Sequence, residues 1–485
     1  MAECLYNRVS DRVIDELKQI VGARYLICDD ADALEAFSHD EVAEREYAHM
    51  PEVVVRPRTT DEIAAIMRLA NREMIPVTPR GAGSGLSGGA VPLCGGIVVL
   101  TDRMNSIVDV DPENLMVVVE PGVVTREINE AIKGYGLFYA GYPMSLETCY
   151  IGGNVAENAG GGKAVKYGVT GRYVTGLEVV TPAGEVVRLG GKRVKDVTGY
   201  NLLGLMVGSE GTLGIFTEVT LKLMPLPKAA VDLLVLFEKT SQAIHAVPRI
   251  MTSGGIIPTA IEFMDRASIK VACEYLNESL PWQDASAMLI LTFDGSDEEA
   301  VEREYMTAGD LCVNAGAIEV YVADNHTTSE RIWRVRRNIP EAWKQYSANR
   351  TTEDIVVPIA AIPEVLKGFE RLQEKYGIPV PCYGHAGDGN LHAKPVMPPE
   401  WSVEKWRETL PRLLTDLYRL TNQLGGTISG EHGIGHKRKK YMPLVCSKEH
   451  IAIMRAVKRA LDPNNILNPG KIFDMDESTS EAADG

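Results

Sequence analysis

Glycine is crowded into the stretch between residues 79 and 225, and this constrains the fold more than any other feature of the chain. Three loops carry most of it: Pro79-Arg-Gly-Ala-Gly-Ser-Gly-Leu-Ser-Gly-Gly89, Ile151-Gly-Gly-Asn-Val-Ala-Glu-Asn-Ala-Gly-Gly-Gly162 and Val207-Gly-Ser-Glu-Gly-Thr-Leu-Gly214. Glycine takes backbone conformations that other residues resist, and it lets backbone N–H groups come close to a diphosphate. A nucleotide cofactor in the first half is therefore expected. The run Gly83-Ser-Gly-Leu-Ser-Gly88 matches G-x-G-x-x-G, but a Rossmann site needs a helix opening at that loop. Gly88, Gly89 and Pro92 oppose one. Glycines serving only hairpin turns would explain one such loop, but not several together.

At 485 residues the chain exceeds what one core usually organises, so two or three domains are expected. A hydrophobic share of 45% and a charged share of 24% describe an ordinary soluble globular protein. The formal charge of −16 argues against nucleic acid as a partner. Cysteines 4, 28, 94, 149, 273, 312, 382 and 446 are dispersed without C-x-x-C spacing, which excludes zinc-knuckle and iron–sulfur ligand runs and suits a reduced, cytoplasmic setting. Residues 1–21 are charged throughout, and no apolar run approaches the length of a membrane span. The acidic tail, 474–485, is expected to be disordered.

Val53–Val55 and Ile75–Thr78 read as short strands flanking a helix whose capping box is Thr59-Thr-Asp-Glu62, with Ile63, Ile66, Met67 and Ala70 on one face. Strands are expected at Ile97–Leu100, Leu115–Val119 and Leu177–Val180, and a helix at Thr125–Lys133. Met224-Pro-Leu-Pro227 marks a boundary, because two prolines in four residues interrupt helix and strand alike. Beyond it glycine thins out. Strands at 231–237, 287–293, 318–322 and 354–357 alternate with helices near 240–252, 297–309, 327–346 and 360–375, which suggests an α+β domain with a sheet covered by helices. The expected division is 1–225, 226–428 and 429–485, the last segment returning to the first domain.

Four of the nine histidines fall within residues 383–436, in Tyr383-Gly-His-Ala-Gly-Asp-Gly-Asn-Leu-His392 and Ser429-Gly-Glu-His-Gly-Ile-Gly-His436. The glycines between His385 and His392 make a helix improbable and predict strand–turn–strand. Two imidazoles joined by such a turn, with one carboxylate, suit a divalent metal that keeps a coordination position open. The plainer alternative is that these histidines only hydrogen-bond to a buried loop.

The motifs Pro79-Arg-Gly-Ala-Gly-Ser-Gly, Gly152-Gly-Asn-Val-Ala-Glu-Asn-Ala-Gly-Gly161, Tyr167-Gly-Val-Thr-Gly171 and Gly208-Ser-Glu-Gly-Thr-Leu-Gly-Ile215 resemble the FAD-binding domain of the vanillyl-alcohol oxidase superfamily. The second half resembles the branch holding FAD-linked D-lactate dehydrogenases, the glycolate oxidase flavoprotein and D-2-hydroxyglutarate dehydrogenase. The resemblance spans roughly residues 35–473. It implies a two-part FAD-binding domain plus an α+β cap domain with an antiparallel sheet. It also implies that Arg80, Gly81, Ala82, Gly83, Ser84 and Gly85 hold the pyrophosphate, and that Ser145, Gly152, Gly153, Asn154, Ala156, Glu157, Asn158 and Gly161 line the flavin. Gly211, Gly214 and Ile215 would lie near the adenine side, with Asn468 returning to the isoalloxazine. Some relatives anchor flavin through a histidine in the first loop; Ala82 and Ser84 stand there, so non-covalent FAD is expected.

By the same resemblance His385, His392 and Glu431 match the metal ligands, His432 the catalytic base, and Arg336 of Trp333-Arg-Val-Arg-Arg337 the arginine for the substrate carboxylate. An arginine-rich exposed helix face is the competing reading of that last segment. His436 is left outside the ligand set, and Lys437-Arg-Lys-Lys440 reads as a solvated helix face. Zinc, manganese and iron all suit such donors. Where hydroxyglutarate enzymes carry a lysine for the second carboxylate, this chain has Thr351-Thr-Glu-Asp354, which favours a small 2-hydroxy acid such as D-lactate or glycolate.

The expected activity is an FAD- and metal-dependent dehydrogenase that passes electrons to a separate acceptor, such as an electron-transfer flavoprotein or an iron–sulfur protein. The alternatives are a redox-neutral flavin-dependent transferase resembling alkylglycerone-phosphate synthase and a non-catalytic flavin-carrying component of a larger complex.

Overall fold

The computed structural model describes residues 6–42, 47–141 and 143–475; of the expected acidic tail, 476–485 lie outside the described residues. The chain folds as two compact units. One comprises the residues up to Ala159, Val169–Pro225 and the chain from Glu431 onward; the other comprises Gly160–Gly168 and Leu226–Gly430.

The first unit holds a four-stranded sheet ordered β1 (Leu26–Ile27), β2 (Val53–Val55), β4 (Ile97–Leu100), β3 (Val77–Arg80). β2, β4 and β3 run parallel, so β2 and β3 need a crossover, and the helix Thr60–Glu73 supplies it. Ile63, Ile66, Met67 and Ala70 are buried on its inner face, as their spacing predicts, against Val53, Val55, Val77 and Val99. Thr59 caps the helix by accepting from Glu62 N, yet the carboxylate of Glu62 accepts from Arg58 N and not from Thr59 N. The capping box predicted from sequence thus closes one residue early. The chain's last segment returns to β3: Val77 N donates to Ile466 O at 2.8 Å and Asn468 N to Val77 O at 2.7 Å.

A second, antiparallel sheet in this unit is ordered β5 (Ile107–Asp111), β6 (Met116–Val119), β10 (Ile215–Lys222), β8 (Val174–Val180), β9 (Val186–Gly190). A separate two-stranded sheet pairs β7 (Leu137–Phe138) with β11 (Met224–Pro225).

The second unit is built on a seven-stranded sheet ordered β15 (Ala317–Ala323), β12 (Ala229–Phe237), β14 (Ala287–Gly295), β13 (Ala260–Asp265), β17 (Cys382–His385), β18 (Asn390–Ala393), β16 (Glu353–Val356). Every neighbouring pair is antiparallel. Helices Thr240–Thr252, Glu298–Asn314, His326–Tyr346 and Ile362–Tyr376 agree with expectation. Strand β13 and helices Arg266–Leu276 and Val403–Gln423 were not anticipated. In β13 the acidic Glu262 interrupts the apolar run although it is fully buried, and Pro411 stands inside the last helix. Asp265 joins two elements: one carboxylate oxygen caps the following helix at Ser268 N, and the other accepts from Cys382 N at 2.7 Å. It thereby fixes the entry of β17.

Candidate functional site

Strand register places the histidines. Glu262 of β13 is directly opposite His385 of β17, which is opposite Asn390 of β18. Two residues along, Tyr383 pairs with His392, and His392 with Asp354 of β16. Because side chains alternate along strands, these two rows share one face of the sheet. The predicted strand–turn–strand is present, and it brings the His385 and His392 rings to 5.4 Å between centroids at 85°. Gly389, with φ +86°, turns the chain where a Cβ would lie 2.0 Å from Val357 O, so no other residue fits there.

His385 and His392 are buried, and acids stand beside both. His385 Nδ1 lies 2.5 Å from Glu262 Oε1, so Nε2 is the ring nitrogen that could serve a metal. His392 Nδ1 is 3.8 Å from Asp354 Oδ1. Asp354 accepts from Asn390 Nδ2 at 2.6 Å, Ser429 Oγ at 2.8 Å and Gly430 N at 2.9 Å. It therefore holds the backbone that leads directly into Glu431. Imidazole and carboxylate are the donor types that a divalent metal takes.

Arg336 is not on an exposed face. It is 2% exposed, its Nη2 is 2.6 Å from Glu262 Oε2, and its guanidinium stands 5.0 Å from the Tyr383 ring centroid. Burial alone would raise the Glu262 carboxyl, but the charges of Arg336 and His385 outweigh it and hold the group below the usual carboxylate range. Glu262 was missed in the sequence because it lies more than a hundred residues from His385; only an acid amid apolar strand residues marked it.

In the first unit, Glu431 and His432 are partly buried, with His432 Nε2 3.6 Å from Glu431 Oε1. The backbone beyond them is tied by Glu210, whose carboxylate accepts from Ile434 N at 2.8 Å and Gly435 N at 2.6 Å. Glu157 is close by: a Cβ on Gly433 would lie 2.0 Å from its Oε2. Burial, then the charges of Glu210 and Asp40, push the Glu157 carboxyl well up. The expected solvated face at 437–440 is overturned for Lys437 and Arg438, which are 6% and 0% exposed. Arg438 Nη1 donates to Gly433 O at 3.1 Å and to Leu86 O at 3.3 Å, which draws it inward.

The glycine loops meet within this unit. A Cβ on Gly81 would lie 3.6 Å from Tyr150 Cβ and 4.0 Å from Gly153 N, and a Cβ on Gly83 would collide with the guanidinium of Arg80. Arg80 is folded inside its own loop, with Nη1 donating to Ala90 O at 3.2 Å, so the backbone of Gly81, Ala82, Gly83, Ser84 and Gly85 is what can face a ligand. In the short helix Ile151–Glu157 the two glycines differ: a Cβ on Gly152 would be 2.6 Å from Pro121 Cβ, whereas one on Gly153 meets nothing within 4 Å among the described residues. That open face is a cradle suited to a flat cofactor.

Several expected cofactor residues spend their side chains on the scaffold. Asn154 Nδ2 donates to Thr125 Oγ1, Asn158 Oδ1 accepts from Gly171 N, and Asn468 Nδ2 donates to the carbonyls of Gly89 and Glu210. Gly211 and Gly214 are packed against Pro79 and Val179, Ile215 is buried at the start of β10, and the Ser145 and Ala156 carbonyls accept from Cys149 N and Glu210 N. Gly161 belongs to the second unit.

Comparison with known proteins identifies the family. Residues 51–190 match the family of FAD binding domains, and residues 226–472 match the family described as FAD linked oxidases, C-terminal domain. The chain is 39% identical to the glycolate oxidase subunit GlcD of Bacillus subtilis (strain 168), covering 96% of this chain and 98% of the relative. It is 39% identical to a D-lactate dehydrogenase of Anaerostipes hadrus, with 97% and 99% covered. The solved structure of p-cresol methylhydroxylase superposes with a TM-score of 0.79 at 18% identity, covering 96% of this chain and 97% of that one, a likeness of fold.

Proposed function

Since the chain belongs to the family of FAD linked oxidases, we propose that it is an FAD-dependent dehydrogenase acting on a small D-2-hydroxy acid, with D-lactate or glycolate favoured, and forming the 2-oxo acid. The observation that carries this reading is the single sheet face bearing His385, His392 and Asp354, with the backbone of Gly430 tied to it immediately before Glu431 and His432.

His385, His392 and Glu431 would hold one divalent metal, and the glycine loops around Arg80–Gly85 and Gly152–Gly153 would seat non-covalent FAD. When bound, FAD supplies the acceptor for the hydride of C2, and the metal supplies a Lewis acid for the substrate hydroxyl. Arg336 pairs with the substrate carboxylate through guanidinium N–H donors and so anchors that end of the substrate. His432 accepts the hydroxyl proton at a ring nitrogen, acting as the general base. Thr351 and Thr352, in place of a lysine, favour a substrate with one carboxylate. Electrons leave for a separate protein acceptor, an electron-transfer flavoprotein or an iron–sulfur protein, in a cytoplasmic setting. Among the described residues no helix is long and apolar enough to cross a membrane.

The test is anaerobic mixing of the yellow protein with D-lactate or glycolate, with and without prior chelation. Bleaching of the flavin that is lost on chelation and restored by Zn²⁺ or Mn²⁺ is expected. A flavin left oxidised by every 2-hydroxy acid would point to the redox-neutral transferase instead, and bleaching by metal-free protein would remove the metal from the reaction.

A further inference from the structure

We infer that Glu262, on β13, is a positioning residue that sets the candidate metal-ligand histidine and the candidate substrate arginine with a single carboxylate. Its side chain is fully buried. Oε1 lies 2.5 Å from His385 Nδ1 and Oε2 lies 2.6 Å from Arg336 Nη2, so the two oxygens are committed to different groups. The geometry follows from the fold: Glu262 and His385 are direct cross-strand partners, and Arg336 reaches the same carboxylate from helix His326–Tyr346.

A carboxylate on Nδ1 keeps the proton there, turns Nε2 outward in the ring plane as the donor, and makes the imidazole a better ligand. The other oxygen holds the guanidinium in one orientation and leaves its remaining N–H donors to define the carboxylate position. Charge balance supports the assignment. A buried arginine and a buried glutamate without each other would each carry a large desolvation cost, and sharing the carboxylate with His385 ties that balance to the ligand set. Metal binding and substrate-carboxylate binding are thereby linked through one side chain.

This inference rests on the proposed metal site, so the experiment separates the two. The FAD-loaded full-length protein is stripped of metal and titrated with Zn²⁺ against a chromophoric chelator. Flavin absorbance and melting temperature report the fold. Glu262→Gln keeps the shape but offers an amide, and it should weaken Zn²⁺ binding about 10- to 100-fold and raise KM for the hydroxy acid. Glu353→Gln is the control: that residue is equally buried in β16, its carboxylate accepts from the Thr351 and Tyr418 hydroxyls, and its variant should shift Zn²⁺ affinity less than about threefold. Should Glu262→Gln not retain FAD, Glu262→Asp keeps the charge facing Arg336 while shortening the arm, and the same loss of Zn²⁺ affinity is expected. Tight wild-type binding that either folded variant matches within threefold overturns the role of Glu262 alone. Absence of one-to-one Zn²⁺ binding in the wild type overturns the metal reading and this inference with it.

Discussion

Asp354 is the most exacting place to perturb the second unit, because one fully buried carboxylate satisfies three donors that arrive from neighbouring segments. Asn390 Nδ2 reaches Oδ1 at 2.6 Å, and Ser429 Oγ and Gly430 N reach Oδ2 at 2.8 Å and 2.9 Å. Hydrogen bonds to a charged group contribute roughly 1.5–3 kcal/mol each, and a buried donor left alone costs about 1–3 kcal/mol. Asn390 Nδ2 retains Ile355 O at 3.0 Å, so its loss is partial. Asp354→Ala is therefore expected to destabilise the second unit by about 4 kcal/mol, which at about 2–4 °C per kcal/mol for a domain of this size lowers its melting transition by roughly 8–16 °C. Ser429→Ala removes one donor and should cost about 1 kcal/mol. The backbone at Gly430 leads into Glu431, so released backbone there should also weaken Zn²⁺ binding. Differential scanning calorimetry of the FAD-loaded protein, with chelator competition on the same samples, measures both effects. A transition lowered by less than about 3 °C with unchanged Zn²⁺ affinity would refute the view that Asp354 holds this backbone in place.

Three further outcomes are expected. His432→Ala should keep its yellow FAD but lose flavin reduction by substrate by about 10²-fold or more, read by stopped-flow absorbance; wild-type rates would remove His432 from proton transfer. Gly153→Ala should fold normally yet bind FAD more weakly, while Gly152→Ala, whose Cβ would lie 2.6 Å from Pro121 Cβ, should destabilise the first unit; equal effects on thermal melting and FAD retention would count against the open cradle. Burial, ahead of the charges of Lys439, Lys471 and His49, lowers His436 from 6.5 to about 4. The unfolded chain then binds the extra proton first, so this contribution to stability is present above pH 6.5 and is lost as pH falls toward 4. Urea midpoints measured across that range should decline, and His436→Gln should flatten the decline; parallel slopes would contradict it.

The elements nearest the candidate chemistry were legible because short-range rules governed them. Glycines between His385 and His392 could only turn the chain, and the helix Thr60–Glu73 announced its buried face through Ile63, Ile66, Met67 and Ala70. Glu262, Glu210 and Arg438 were not legible as site or core residues. Each is a charged residue whose burial is compensated by a partner distant in sequence: His385 and Arg336 for Glu262, the Ile434 and Gly435 amides for Glu210, and the Leu86 carbonyl for Arg438. Local pattern reads such residues as solvent-facing. Asn154, Asn158 and Asn468 show the converse, since their motif positions suggested ligand contacts while their amides bond to the scaffold.

What the order of residues determined alone is the set of local conformations and the donor chemistry: tight glycine loops in one half, a strand–turn–strand carrying two imidazoles, and acids and bases grouped in short phrases. Which carboxylate meets which imidazole was decided only by the sheet. The register of β13 against β17, and of β18 against β16, sets Glu262 opposite His385 and Asp354 opposite His392. Long-range pairing is chosen by burial of whole strand faces, and a shift of one residue would have turned every one of these side chains to the other face.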